Sequence, residues 1–362
     1  MCNGAEFWRP QAIQGVLTVS VDGPFKVATV QAEPCWLDVD AGIEKAVSLI
    51  KEAASAGARL VAFPELWIPG YPHFLWLDAQ AIGMRFVPRY HANSIVVGDA
   101  RFNRLAQAAG DNEITVVMGA SEKDFGSLYM AQFIFGPDGE ILFTRRKLKP
   151  THVERAMFGE GDGSHLHVLD APGIGRLGAL NCWEHLQPLS KFAMYSQGEQ
   201  VHVASWPSFC LYRGGAHALG MEVNMNATQL YAVEGSNFAL AATTVTGPAG
   251  MELFCDNDQH AAFLGGGGGG CSRVYGPDGS LLSDLLDEHA EGLVYAEIDL
   301  SVIAISKMAA DPSGHYSRPD ATRLLFDKRP QPAVELVGEP DPPIPAVAGA
   351  GTDDGTSLLP AG

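Results

Sequence analysis

Apolar and polar positions along the chain switch repeatedly between two periods. Val27 to Ala32 (VATVQA) has the character of a strand, and the following stretch places Ile43, Val47, Ile50 and Ala54 on one face at helical spacing. Leu60 to Phe63 is an apolar run closed by Pro64, the pattern of a buried strand whose end presents the next residue, Glu65, at a sheet edge. Phe102, Leu105, Ala106 and Ala109 predict a second helix, and Thr115 to Gly119 (TVVMG) another buried strand. Strands and helices alternate, as expected of an α/β chain.

Two arms, Ala131 to Phe135 and Glu140 to Arg145, are joined by Gly136-Pro137-Asp138-Gly139, which predicts a hairpin because proline fixes one φ and the last glycine accepts a left-handed backbone. The same device recurs in Arg273 to Leu282 (RVYGPDGSLL), with no wider similarity around it, so it reads as a reused hairpin and not as a repeat. Arg176 to Leu180 (RLGAL) predicts a strand running into Asn181-Cys182-Trp183, after which Pro188 opens a helix with Leu189, Phe192 and Ala193. Val201 to Ser205 and Phe238 to Thr243 predict two more strands. Between them Leu219, Val223, Ala227 and Leu230 form a helical stripe ending before Gly235, taken as the left-handed residue after the helix. Six successive glycines, 265 to 270, predict a loop or a place of very close approach.

Composition narrows the possibilities. With 362 residues and 46% hydrophobic against 18% charged, the chain can bury a large core and has surface to spare for contacts between subunits. The formal net charge of −18 would repel a phosphate backbone or an anionic membrane surface, so nucleic acid and membranes are not expected partners. The first residues lack a basic stretch followed by a sustained apolar one, and a cytoplasmic location is expected. The six cysteines show no CxxC and are read as free thiols. From about Arg329 onward Pro, Gly, Asp and Ala dominate, which predicts a disordered tail over 329–362; residues 1–24 read as an extension before a domain spanning 25–328.

Cys182 is the most informative thiol. A corner from strand to helix can expose a side chain and aim backbone N–H groups and a helix dipole at it, which would lower its pKa; the alternative is a buried, inert cysteine. A nucleophilic thiol needs a base, a donor for developing charge and exclusion of water. Glu65, with Phe63, Trp67 and Tyr71 close in sequence, is a candidate base whose surroundings would raise its pKa. Lys147, in RRKLKPTHVER, can set an ammonium beside an anionic intermediate, with Glu154 as a second carboxylate. Surface charges or structural ion pairs are the alternative for each. His185, three residues after Cys182, reads as a hydrogen-bonded structural group in preference to the base of a thiol–histidine pair. His165 and His167 alternate through an expected strand without a third metal ligand nearby, and GEGDGS does not fit a nucleotide-binding glycine loop.

FPELWIPGYP, RRKLKPTHVERAMFGEGDGS and GALNCWEHLQPL, in that order, resemble the nitrilase branch of the carbon-nitrogen hydrolase superfamily, and GEQVHVASWPS, FCDND and GHYSRPD extend the likeness over most of the chain. The resemblance implies a four-layer α-β-β-α sandwich, dimers that can extend into spirals, and no metal or organic cofactor. It places the family's catalytic glutamate on Glu65, lysine on Lys147, nucleophilic cysteine on Cys182 and assisting glutamate on Glu154. The implied reaction converts an organic nitrile to a carboxylic acid and ammonia through a covalent thioimidate and thioester. The rivals are cyanide hydration or dihydration, nitrile-to-amide conversion, amide hydrolysis on the same machinery, and a catalytically silent scaffold. Trp67, Tyr71, Trp183, Trp206 and Phe209 are candidates for the substrate's apolar pocket, or equally for ordinary core.

Overall fold

The computed structural model describes residues 21, 23–211, 213–334 and 337; the expected N-terminal extension and disordered tail fall almost entirely outside them. By its contacts the chain divides after Pro330, and every element below belongs to the first unit. Its strands are β1 (Phe25–Ala32), β2 (Ala58–Ala62), β3 (Thr115–Asp124), β4 (Ser127–Phe135), β5 (Ile141–Arg146), β6 (Phe158–Gly159), β7 (Leu169–Ala171), β8 (Gly175–Asn181), β9 (Val201–Trp206), β10 (Phe238–Thr244), β11 (Arg273–Tyr275) and β12 (Gly292–Ile298). The principal helices are α1 (Val39–Ser55), α2 (Ala100–Asp111), α3 (Pro188–Tyr195) and α4 (Met221–Gly235).

The hydrogen-bonded strand path runs β5-β4-β3-β2-β1-β10-β9-β8-β7, but β1 meets β10 only through Gln31 with Thr243 and Ala32 with Thr244. Along the rest of its length β1 pairs with β2 and antiparallel β12, while β10 pairs with β9 and β11. The path is thus two sheets hinged at one corner. Period-two alternation decides what each face meets. Val27, Leu60, Val117 and Ile134 from one sheet share a core with Leu177, Val203 and Leu240 from the other. On the outer face of the first sheet, Ala28, Val30, Val61 and Met118 pack against Ile43 and Ile50 of α1 and Phe102 and Leu105 of α2. On the outer face of the second, Leu180 packs with Ala193 and Met194 of α3 and Tyr231 of α4. The layers are α-β-β-α, as the resemblance implied. Each large apolar side chain buried in them contributes about 1.5–3 kcal/mol.

Three local expectations need correction. The turn of the second GPDG repeats that of the first, with Gly139 and Gly279 both at φ +81°, but its second arm is reduced to one bridge between Tyr275 and Leu281, because exposed Leu281 and Leu282 have no sheet to join. The buried face of α4 carries Asn224, Met225, Ala227, Thr228, Tyr231 and Ala232, while Leu230 is half exposed, so polar groups that find partners displaced the apolar stripe. The left-handed residue after α4 is Ser236, at φ +49°; Gly235 is helical, and a Cβ there would meet the Tyr195 ring at 2.8 Å. The glycine run is both a loop and a close approach. Residues 265 to 269 all have positive φ, and a Cβ at Gly269 would lie 2.6 Å from the Phe209 and Cys210 nitrogens.

Candidate active site

Glu65, Lys147 and Cys182 each follow the end of a strand, β2, β5 and β8 respectively. The Glu65 segment crosses β3 at closest approach, where a Cβ on Gly119 would lie 1.9 Å from the Pro64 carbonyl oxygen. The backbone N–H of Lys147 bonds to the Met130 carbonyl (2.7 Å), extending the hairpin ladder by one residue. Glu154 sits in a single 3-10 turn, His152–Ala156, capped by Thr151.

All four side chains are buried. Lys147 Nζ donates to Glu65 Oε1 at 2.9 Å and to Glu154 Oε2 at 2.8 Å. Glu154 also accepts from the Thr151 N–H and, on Oε1, from the Tyr71 hydroxyl at 2.8 Å, while Trp76 Nε1 donates to that hydroxyl. Both oxygens of Glu154 are hydrogen-bonded. Those of Glu65 are not: its Oε2 is buried with no hydrogen-bond partner among the described residues. Burial pushes the Glu65 carboxyl up to about 8, against the pull of the Lys147 ammonium. Burial also opposes the charge on Lys147, but the Glu154 and Glu65 carboxylates outweigh it and hold its pKa above the ordinary lysine value.

Cys182 opens a 3-10 turn, Cys182–Leu186, with φ +45°. A left-handed backbone costs a non-glycine residue about 1–2 kcal/mol. Leu66 (φ +48°), next to Glu65, and His152 (φ +45°), two residues before Glu154, share this left-handed backbone, as do four residues elsewhere among the described ones. The expected lowering of the thiol pKa is corrected. Burial, then the Glu65 and Glu154 charges, push it well above the ordinary value, outweighing Lys147 and the Trp183 N–H that faces the sulfur. The α-helix whose dipole was expected to act begins only at Pro188. In the resting site the thiol is neutral, and the Glu65 carboxyl whose charge acts on it has one buried oxygen without a hydrogen-bond partner among the described residues. That pairing suits proton transfer concerted with attack.

The aromatic candidates separate. Trp206 and Phe209 belong to the same buried cluster as Cys182, with Trp183 packed against it. Tyr71 touches Glu154. Trp67 is corrected to core: its ring packs on Phe63 in the cluster beneath α1, and its Nε1 donates to the Ala32 carbonyl at 3.1 Å. Two surface cavities reach residues of the Cys182 cluster: one of about 350 Å³ bounded by Phe209, Met221, Gly269 and Gly270, another of about 440 Å³ bounded by Trp183, Lys149 and His152. His165 and His167 are not on a strand. His165 ends a 3-10 turn and accepts from the Asp162 N–H, and His167 packs on Phe143.

Sequence reasoning missed the pair that fixes the frame of the site. Buried Arg145 Nη2 binds both oxygens of Glu184 (2.8 and 2.9 Å), and Glu184 also accepts from the Leu148 and Asn181 N–H groups. This carboxylate therefore ties the strand end before Cys182 to the segment that carries Lys147. Both residues stand inside the motifs RRKLK and NCWEH, and two charges bracketing reactive residues were the available signal.

The carbon-nitrogen hydrolase family pattern matches residues 26–307. A nitrilase of Pseudomonas syringae pv. syringae (strain B728a) is 54% identical over 321 residues, covering 89% of this chain and 94% of that protein. An aliphatic nitrilase of Rhodococcus rhodochrous is 52% identical, covering 86% and 85%. A carbon-nitrogen hydrolase structure from Helicobacter pylori G27 superposes with a TM-score of 0.62 at 20% identity, over 82% of this chain and 96% of that one, a likeness of fold. The chain belongs to the carbon-nitrogen hydrolase family and is a hydrolase acting on carbon–nitrogen bonds.

Proposed function

We propose that the protein is a nitrilase that converts an organic nitrile to the carboxylic acid and ammonia, with Cys182 as nucleophile. The observation that carries this reading is the unbonded, buried Oε2 of Glu65, whose charge acts on the Cys182 thiol. Glu65 takes the thiol proton as sulfur attacks the nitrile carbon, and the proton passes to nitrogen to give a thioimidate. Lys147 and the Trp183 N–H stabilise charge as it develops. Water activated by Glu65 adds to the thioimidate and ammonia leaves, giving a thioester; a second water releases the acid and restores the thiol. Glu154 keeps Lys147 in place, and Tyr71, donating to Glu154, keeps Glu154 in place. Trp206, Phe209 and Trp183 give the substrate an apolar wall, which favours nitriles with an apolar body.

Self-association into a homo-oligomer is part of this proposal, supported by exposed Leu189 on α3 and exposed Leu230 and Val233 on α4. So is a cytoplasmic location, supported by five cysteines among the described residues that are all free thiols. No described helix is long and apolar enough to cross a membrane.

Incubation with a panel of aliphatic, aromatic and arylaceto nitriles is expected to yield acid plus ammonia. A covalent adduct on Cys182 should be visible by mass spectrometry and absent from Cys182→Ala. Amide as sole product, or turnover of amides alone, would overturn the reading. Light scattering tests the oligomer.

A further inference from the structure

A second polar chain leads away from Cys182, between the second sheet and its helices. The Cys182 carbonyl lies 2.6 Å from His185 Nδ1, His185 Nε2 lies 2.9 Å from His202 Nε2, and His202 Nδ1 lies 2.7 Å from Glu199 Oε1. Glu199 Oε2 accepts from the Tyr231 hydroxyl (2.6 Å) and from Asn237 Nδ2 (3.1 Å). All of these residues are buried.

The first link sets the direction of the rest. A carbonyl oxygen has no proton to give, so His185 Nδ1 carries the hydrogen. A neutral His185 then offers a lone pair at Nε2, and His202 Nε2 must donate to it. A neutral His202 in turn offers a lone pair at Nδ1, which only a protonated Glu199 can satisfy. The other arrangements with the same proton count place an imidazolium at His202 or at His185 and leave Glu199 a carboxylate.

The surroundings favour the neutral arrangement. Burial and the nearby Arg145 charge both disfavour an imidazolium at His202, outweighing Glu184. Burial lifts the Glu199 carboxyl to about 8, the Tyr231 hydroxyl pulling it back only in part. His185 is likewise held neutral, by burial and by His202, with Lys191 acting in the same sense, outweighing the Cys182 carbonyl and Glu184, which act against. Tyr231 and Tyr195, the other titratable groups facing Glu199, are pushed up by burial and stay protonated; Tyr195 donates to Glu234, which is paired with Lys191.

The backbone has also made room for this chain. A Cβ on Gly178, in the interior of β8, would lie 1.9 Å from Glu199 Oε1, and one on Gly235 would lie 2.5 Å from Asn237 Nδ2. Glycine weakens a strand interior, and here it admits the carboxyl.

We propose that Glu199, His202 and His185 are positioning residues for the nucleophile: a one-way chain of hydrogen bonds, begun by Glu199 as a carboxylic acid donating to His202, that ends on the Cys182 carbonyl and holds the left-handed backbone aiming its sulfur. The inference rests on the reading of Cys182 as nucleophile. Ionising Glu199 removes the proton that begins the chain, so turnover falls on the alkaline side, the opposite sense to a base that must be ionised to work.

The test compares full-length wild type, Glu199→Leu and Glu199→Gln, with kcat and KM followed across pH on the nitrile the wild type turns over fastest. A glutamine amide can donate to His202 and accept from Tyr231, as the carboxylic acid does, but cannot ionise. Glu199→Leu should lower kcat about tenfold or more with little change in KM. Glu199→Gln should restore most of that loss and should lack the alkaline fall of the wild type near pH 8. Full activity in Glu199→Leu, a glutamine variant as impaired as the leucine one, or an alkaline fall retained in Glu199→Gln would each overturn the proposal. If Glu199→Leu does not fold, the pH profile of Glu199→Gln decides alone. An active Cys182→Ala would instead refute the nucleophile reading. The infrared C=O stretch of a protonated carboxyl, expected at neutral pH in the wild-type minus Glu199→Gln difference spectrum, where the Glu65 band cancels, would still test the state of Glu199, and its absence from that difference would overturn the assignment.

Discussion

Around Glu65, rate and stability are expected to respond to pH in opposite senses. The folded protein holds the Glu65 proton more tightly than the unfolded chain, with a pKa of about 8 against 4.5. The stability this group contributes is therefore fully present below the unfolded value and is lost as pH rises through the folded one. Activity needs the ionised base, so kcat/KM on a nitrile should climb over the pH range in which the melting temperature declines. A pH–rate profile flat from acid to neutral pH would contradict the role given to Glu65. Replacing Lys147 by Met leaves Glu65 and Glu154 buried without their shared cation and should cost about 3–5 kcal/mol, as denaturant melts would show. Glu65 and Cys182 were legible because each follows an apolar run and Lys147 because it follows a hairpin, whereas Glu154 stood out through its place in the Lys147 motif and the family resemblance. The direction of the Cys182 pKa was not, because it depends on burial and on charges brought in from distant parts of the chain.

At the scale of elements, period and turn chemistry gave the strands and helices, and errors arose where polar groups are buried. The face of α4 was misread because Asn224 and Thr228 look solvent-facing in sequence, whereas Asn224 accepts from Trp183 Nε1 and Thr228 from Trp206 Nε1. Glu199 and His202 lie three apart in GEQVH, and only the register that sets Gly178 of β8 opposite His202 of β9 shows why they can be buried. The same logic applies to Gly119. A methyl group there meets the Pro64 carbonyl oxygen at 1.9 Å, so the segment carrying Glu65 must shift. Gly119→Ala should lower kcat far more than it lowers the melting temperature, with a stability cost of about 1–3 kcal/mol typical of overpacking; full retention of kcat would show that the β2 end has slack.

For the whole molecule, the two sheets divide the labour. Glu65 and Lys147 come from one and Cys182 from the other, and the reacting groups meet only where the sandwich closes. The four layers were implied by family likeness, since alternation of elements alone does not say that one strand path folds back on itself at the corner between β1 and β10. Once Glu65 and Glu154 are both ionised, they outnumber the single ammonium of Lys147 between them. A nitrile enters uncharged and is indifferent to that surplus, but its acid, on losing a proton, becomes an anion among anions. Like charges about 4 Å apart repel by roughly 4 kcal/mol under partly screened conditions. Accumulated acid should therefore inhibit less strongly than the matching amide, as competition assays with the two compounds would show. Burial tunes the base, and once it is ionised the surplus of negative charge drives the spent molecule out, so the chamber clears itself for the next turnover.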